Sequence, residues 1–176
     1  MRFLATPVTD AFVVEPEFIE DERGFFARSW CQREFAAHGL NPALVQCSIS
    51  FNRQKGTLRG MHFQTRPHEE AKLVRVTRGA AYDVALDVRP DSPTLGRHVA
   101  VILTAENRRM LYIPEGCAHG YLTLEDATEV AYQMSAFFEP EAARGVRFDD
   151  PAFGIPWPDE VRVIAERDRN YPDTHW

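Results

Sequence analysis

The chain is organised around GTLRGMHFQ at residues 56–64 and KLV at residues 72–74. Side chains of two kinds alternate along the first segment, which is the period-two pattern of a strand with two different faces. The guanidinium of Arg59 and the imidazole of His62 interrupt its apolar pattern, and the ammonium of Lys72 follows on the next predicted strand. Three such groups around one interior suit a site that binds an anion and moves a proton.

Many short apolar runs separated by Gly, Pro, Asn and Asp predict an all-β sandwich or barrel. The predicted strands cover residues 11–19, 44–51, 56–64, 71–77, 80–88, 97–103, 109–113, 118–124 and 129–135. A short helix is predicted over residues 31–38, with Ser29 as its N-cap and Gly39 as its stop, and a short closing element over residues 161–164. A double-sheet jelly roll fits this pattern, because it limits exposed strand edges and leaves a pocket between the sheets.

Length and composition fit one domain spanning residues 1–176. The net charge of −6 argues against nucleic acid or an anionic membrane as a partner. Cys31, Cys47 and Cys117 form no CxxC pair, which indicates reduced thiols rather than a disulfide framework or a structural zinc site. No apolar run resembles a signal peptide or a membrane span, so we expect a cytoplasmic protein.

Polar side chains that face the interior of such a barrel need partners or a ligand, because their surroundings are apolar. The residues that stand out on this ground are Gln46, Arg59, His62, Lys72, Asp83, His119 and Tyr132.

Several short motifs occur in a characteristic order along the chain. They are RGFF at 23–26, RGMHFQ at 59–64, KLV at 72–74, YDV at 82–84, IPEGCAHG at 113–120, Tyr132 and DDP at 149–151. In this order they resemble the dTDP-4-dehydrorhamnose 3,5-epimerase family over almost the whole chain. The resemblance implies a cupin-like jelly roll, usually a homodimer, that needs no metal and no organic cofactor. It also implies a nucleotide-linked 4-keto-6-deoxyhexose substrate that is inverted at C3 and C5.

The same resemblance assigns roles to individual residues. His62 would be the catalytic base, Tyr132 the proton donor, and Asp168 the carboxylate that orients the base. The diphosphate and sugar would be held by Arg23, Arg59, His119 and Arg167, and the nucleotide base flanked by Phe26 and Phe138. The predicted substrate-binding set is completed by Arg28, Gln46, Ser48 and Asp83.

Elementary chemistry explains why an enzyme that inverts carbons next to a ketone needs a base, an acid and a cation. Removing a proton next to a ketone gives an enolate, which a neutral imidazole can form near neutral pH only if the oxyanion is stabilised. Lys72 is the natural cation for that task, and inversion requires a second group, Tyr132, to return a proton from the opposite face. Asp168 or Asp83 beside an imidazole would fix its tautomer.

Three positions depart from the family pattern. Arg28 stands where the family usually has a glutamate associated with nucleotide recognition, and a guanidinium cannot accept the N3 proton of thymine. Ser48 replaces an asparagine, and Phe138 replaces a tyrosine. Thymidine is therefore the default carrier, with cytidine or another nucleoside as the alternative.

Other functions compete with double epimerisation. A single-carbon epimerase or a ketoisomerase acting on a related nucleotide sugar, such as a CDP-linked one, would use the same catalytic pair. A metal-dependent cupin oxygenase typically has an HxH motif, whereas His62 is followed by Phe63 and Gln64. A binding module without turnover would have no need of an acid–base pair.

Overall fold

The computed structural model describes residues 1–174, in which two antiparallel β-sheets enclose a common interior. In spatial order, the first sheet contains β1 (Arg2–Ala5), β2 (Phe12–Glu15), β10 (Met110–Ile113), β7 (Lys72–Arg78), β12 (Thr128–Met134) and β5 (Gln46–Asn52). The second contains β13 (Ala143–Gly145), β6 (Thr57–Gln64), β11 (Cys117–Thr123), β8 (Ala80–Asp87) and β9 (His98–Thr104). A short strand, β14 (Val163–Ile164), runs parallel to the start of β6.

The chain changes sheet at most connections between β5 and β12. Strands β5, β7, β10 and β12 lie in the first sheet, and β6, β8, β9 and β11 lie in the second. This alternation across two facing sheets is the double-sheet jelly roll that the strand pattern predicted.

The apolar core lies between the two sheets because the strands alternate inward and outward side chains. Val74 and Val130 of the first sheet share one buried cluster with Ala85 and Tyr121 of the second. Each large side chain buried in this way contributes about 1.5–3 kcal/mol relative to its exposed state. Further along the same strands the inward side chains become polar, and there the functional site begins.

The N-terminal region differs from the prediction of one strand over residues 11–19. The structure has β2, then a break, then β3 (Phe18–Asp21), which forms a separate hairpin with β4 (Gly24–Ala27). Pro16 lies in the break and has no N–H with which to continue the ladder. Strand β1, which the pattern did not predict, occupies the edge of the first sheet beside β2.

Helix α1 (Gln32–Ala37) lies within the predicted residues 31–38, but Ser29 is not its N-cap. Cys31 occupies that position without a side-chain hydrogen bond to the helix, and the buried Phe35 anchors the helix. A second helix, α2 (Glu166–Arg169), follows β14, which lies in the predicted closing element. Neither α2 nor β13 was predicted.

Within residues 1–174, no helix combines the length and apolar character needed to cross a membrane.

Candidate active site

A cavity opens between the sheets at the polar end of the interior, and it has two lobes of about 440 and 350 Å³. His62, Lys72, Tyr132 and Arg167 line both lobes, so the two volumes meet at these side chains. The rest of the first lobe is formed by Thr57, Leu58, Arg59, His119, Tyr121, Val163, Ile164, Ala165 and Asp168. Of the seven inward polar residues predicted from the sequence, all but Asp83 line one lobe or both.

A β-bulge on β6 brings Arg59 and His62 to the same cavity although they are three positions apart. His62 pairs with His119 and Arg59 pairs with Tyr121, so β6 has one more residue than β11 in this interval. Gly60 occupies the bulge with φ of 121°, and a Cβ there would lie 2.5 Å from the Cα of Gly120. The glycine of the RGMH motif is therefore required by this close approach of two strands.

His62 is held by a buried carboxylate from the C-terminal segment. Its Nε2 lies 2.7 Å from Oδ1 of Asp168, and the Gly60 N–H donates to Oδ2 at 3.1 Å. Burial raises the pKa of Asp168, but the hydrogen bonds from His62 and Gly60 outweigh that effect and keep its pKa below the ordinary value. If Nε2–H donates to Asp168, Nδ1 of His62 is the basic nitrogen.

Arg167 also lies close to His62, with Nη2 at 3.1 Å from the same Nε2. A guanidinium only donates, so this contact and the donation from His62 to Asp168 exclude each other as hydrogen bonds. The carboxylate contact is the shorter one and is supported by Gly60, so we assign the Nε2 proton to the bond with Asp168. Arg167 then contributes positive charge at the point where the two lobes meet.

A second imidazole–carboxylate pair lies beside the first. Nε2 of His119 is 2.8 Å from Oδ1 of Asp83, whose side chain is completely buried. Within the described part of the chain, Oδ2 of Asp83 has no hydrogen-bond partner. Asp83 therefore lies behind His119 rather than on the cavity surface, and any effect on a ligand passes through the imidazole.

Lys72 lies at the start of β7 with its side chain 11% exposed, and its ammonium forms an ion pair with Oε1 of Glu70 at 3.0 Å. Tyr132 lies on β12, next to Val74 on one side and Ser48 on the other. Glu70 was missed by sequence reasoning, because a charge just before a predicted strand reads as part of a solvated loop.

A polar network supports the Arg59 end of the first lobe. Nε of Arg59 donates to Oδ1 of Asn52 at 2.8 Å, and the hydroxyls of Tyr121 and Ser50 are 2.5 Å apart. Burial raises the pKa of Tyr121, so the phenol stays protonated and available as a donor. Asn52 and Tyr121 were not singled out from the sequence, although both follow the period-two pattern of inward positions.

The second lobe contains three further predicted residues, Gln46, Ser48 and Phe138. The backbone N–H of Phe138 donates to Oε1 of Gln46 at 3.2 Å, which fixes the aromatic residue at the rim. Tyr171 and Arg144 also line this lobe and had not been predicted.

Besides Asp83, three predicted substrate-binding residues do not line the cavity. Arg23 and Phe26 belong to the β3–β4 hairpin; Arg23 pairs with Asp21, and Phe26 is 66% exposed. Arg28 follows the hairpin and pairs with Glu34 of α1 at 3.0 Å.

Within residues 1–174, no three histidine, cysteine or acidic side chains converge as they would in a metal site.

A β-barrel cavity that combines an imidazole–carboxylate pair, a phenol and an ammonium is suited to an enzyme that transfers protons next to a carbonyl group. Comparison with known proteins gives the same class. The profile of the dTDP-4-dehydrorhamnose 3,5-epimerase family matches residues 5–175. The enzyme of that name from Methanothermobacter thermautotrophicus is 43% identical over 173 residues, which is 97% of this chain and 92% of the relative. The chain belongs to the dTDP-4-dehydrorhamnose 3,5-epimerase family and is an isomerase.

Solved structures of family members superpose closely on this chain. The Bacillus anthracis enzyme, crystallised with TDP and pyrophosphate, gives a TM-score of 0.93 at 37% identity and covers 98% of this chain and 99% of its own. The Legionella pneumophila enzyme, in complex with dTDP-4-keto-L-rhamnose, gives 0.87 at 36% identity, with 95% and 89% coverage.

Proposed function

We propose that this protein converts dTDP-4-dehydro-6-deoxyglucose to dTDP-4-dehydrorhamnose by inverting C3 and C5. The observation that carries the proposal is that His62, Lys72 and Tyr132 line both lobes, at the point where the lobes meet. A sugar ring placed there has a base, an oxyanion partner and an acid around it, with room on either side for the diphosphate and the nucleoside.

The first step is proton abstraction by His62. The C–H bond next to the ketone breaks, its proton goes to Nδ1, and the electron pair delocalises onto the carbonyl oxygen as an enolate. Asp168 stabilises the imidazolium that forms, since it accepts from Nε2 at 2.7 Å. The ammonium of Lys72 stabilises the enolate oxygen, a contribution of about 3–4 kcal/mol for a typical oxyanion donor.

The second step returns a proton to the other face. The Tyr132 phenol gives its proton to the same carbon, the enolate pair forms the new C–H bond, and the ketone is restored. His62 ends the step protonated and Tyr132 deprotonated, so exchange with water resets both before the next inversion. The incoming hydrogen therefore comes from solvent.

Solvent deuterium tests this mechanism directly. The 4-keto sugar nucleotide is incubated with the protein in D₂O, and the product is followed by NMR at C3 and C5. Deuterium at both carbons supports double inversion, deuterium at one carbon supports the single-carbon epimerase, and retention of both hydrogens contradicts proton abstraction. H62A should abolish incorporation, whereas H68A, which changes an exposed histidine outside the cavity, is the matched control.

The same proposal includes a homodimer in which each β3–β4 hairpin reaches the partner's cavity. Phe18, Ile19, Phe25 and Phe26 of the hairpin are large exposed hydrophobic residues, and Arg23, a predicted substrate contact, lies on the same hairpin. An exposed apolar hairpin carrying substrate-binding residues is explained if a second copy covers it.

Complementation tests the shared site. R23A and H62A are each purified, then co-refolded so that subunits exchange. A shared site leaves one intact cavity in every mixed dimer, which gives about a quarter of wild-type activity in a statistical mixture. Absence of complementation while light scattering reports a dimer would place Arg23 in its own chain's site. Light scattering that reports a monomer would contradict the proposed homodimer.

Thymidine is the proposed carrier, and the cytoplasm the proposed location, which suits the free thiols of Cys31, Cys47 and Cys117. The carrier is tested by comparing the binding of dTDP, CDP, GDP and UDP before and after R28E. If Arg28 sets the choice of base, the substitution shifts preference toward dTDP; an unchanged ranking shows that it does not.

A further inference from the structure

Glu70 is an acidic side chain in the cavity that the steps above do not use. It precedes β7 by two residues, lines the second lobe, and has a side chain that is 9% exposed. Its Oε1 forms an ion pair with the ammonium of Lys72 at 3.0 Å, and its Oε2 lies 3.4 Å from Nε2 of Gln64.

The partner on the other side of Glu70 is itself immobilised. The Gln64 amide nitrogen donates to the carbonyl oxygens of His68 at 2.7 Å and Phe137 at 3.1 Å, and its oxygen accepts from the Glu139 N–H at 2.6 Å. Gln64 is 3% exposed, so this amide connects two loops and β6 at a fixed point. The carboxylate of Glu70 thus has a rigid neighbour on the side opposite the lysine.

A lysine needs such an anchor if it is to stabilise one oxygen atom. The ammonium is a compact charge on a flexible four-carbon stem with three equivalent donors, so the charge alone does not fix its position. Oxyanion stabilisation depends on a donor lying within hydrogen-bond distance of the place where charge develops. A carboxylate whose oxygen lies 3.0 Å from Nζ attracts the ammonium and restricts where it lies.

The same carboxylate has an opposing effect, because a negative charge near a developing oxyanion reduces the attraction of the ammonium for it. The carboxylate of Glu70 therefore favours oxyanion stabilisation by positioning the Lys72 ammonium and opposes it through its negative charge. An amide keeps an acceptor oxygen at the same reach and removes the charge, whereas an aspartate keeps the charge and withdraws it from the lysine.

We propose that Glu70 is a positioning residue that holds the Lys72 ammonium against the carbonyl oxygen of the substrate. The inference rests on the role of Lys72 in the proposed function. In this arrangement the reach of the Glu70 side chain matters more than its charge.

The test is a double-mutant cycle on steady-state rates with E70A, K72A and E70A/K72A, together with E70Q and E70D. E70A should lower kcat about 10- to 100-fold with KM changed less than about threefold, and in the K72A background it should cost less than about twofold. E70Q should recover most of the activity, and E70D should resemble E70A. E69A is the matched control, because Glu69 is the neighbouring glutamate and contacts Arg66 rather than Lys72.

The outcomes separate this inference from the function on which it rests. A wild-type protein that incorporates no deuterium contradicts the proposed function, and a fully active K72A contradicts the role of the lysine. Three outcomes overturn the positioning role alone. They are an impaired K72A with an unaffected E70A, an equal cost of E70A in the wild-type and K72A backgrounds, and an active E70D with an inactive E70Q. If E70A does not fold, the comparison of E70Q with E70D decides the matter.

Discussion

The ring of Tyr171 fills the space that a side chain at Gly145 would occupy. A Cβ on Gly145 would lie 2.3 Å from two carbons of that ring and 2.7 Å from the carbonyl oxygen of Met61. Gly145 pairs with His62 across β13 and β6, and the Tyr171 ring meets the His62 ring edge-on with centroids 6.3 Å apart. Because Gly145 has no side chain, Tyr171 can pack against it, and this packing positions the C-terminal segment in which Asp168 contacts His62.

G145A should lower kcat about 10- to 100-fold, because displacing Tyr171 moves Asp168 relative to His62 and small misplacements of catalytic groups are costly. Steady-state assays and thermal unfolding of G145A, Y171A and the double variant measure the effect. The cost of G145A should shrink in the Y171A background, with a remainder that comes from the Met61 carbonyl. An equal cost in both backgrounds would show that the ring does not transmit the effect.

The two imidazole–carboxylate pairs should respond differently to the same substitution. D168N should lower kcat by about 10²- to 10⁴-fold, because an amide no longer fixes the tautomer or stabilises the imidazolium of the base. D83N should act mainly on KM, because Asp83 lies behind His119, which we assign to substrate binding. Initial rates over a range of substrate concentrations separate the two effects; a loss confined to kcat in D83N would move His119 into the chemistry.

The strands from β5 to β12 could be predicted to within two residues at each end, because each has a clear period-two pattern bounded by turn residues. The bulge at Gly60 could not, since it places Arg59 and His62 on the same cavity, whereas strict alternation puts residues three apart on opposite faces. Helix α2 is four residues long and β13 three, too short for a periodic signal.

The candidate site shows a related limit. The motifs identified His62, Lys72 and Tyr132, but Glu70 and Tyr171 lie in segments whose composition alone is that of a loop. Arg23 and Phe26 were predicted as site residues from their order in the chain. That order carries no information on whether the hairpin lies beside the cavity of its own chain.

Thiol reactivity should follow burial. Cys47 is exposed, whereas Cys117 is buried, and burial raises the pKa of Cys117 to about 12. Near pH 8 the thiolate is the reactive form, so a chromogenic disulfide reagent should react first with Cys47 and with Cys117 only after unfolding. C47S should remove the fast phase; a fast phase that persists in C47S and disappears in C117S would contradict the buried placement of Cys117.

Acid stability should depend on Asp87, which is fully buried and receives hydrogen bonds from Arg89, Ser92 and Thr94. Burial raises the pKa of Asp87, but these bonds outweigh it and lower the pKa to about 2. In the unfolded chain an aspartate titrates near 3.9, so the carboxylate stabilises the fold by about 2–3 kcal/mol. That contribution is fully present above about pH 4 and is lost as the pH falls to about 2.

Denaturant unfolding of the wild type and D87N between pH 7 and pH 2 measures this contribution. D87N should have a lower free energy of unfolding at pH 7 and a shallower decline below pH 4, so that the two curves converge in acid. The exposed Asp91 lies in the same loop, and D91N should follow the wild-type curve at every pH. Curves for D87N and the wild type that stay parallel down to pH 2 would show that Asp87 is not the group whose protonation destabilises the fold.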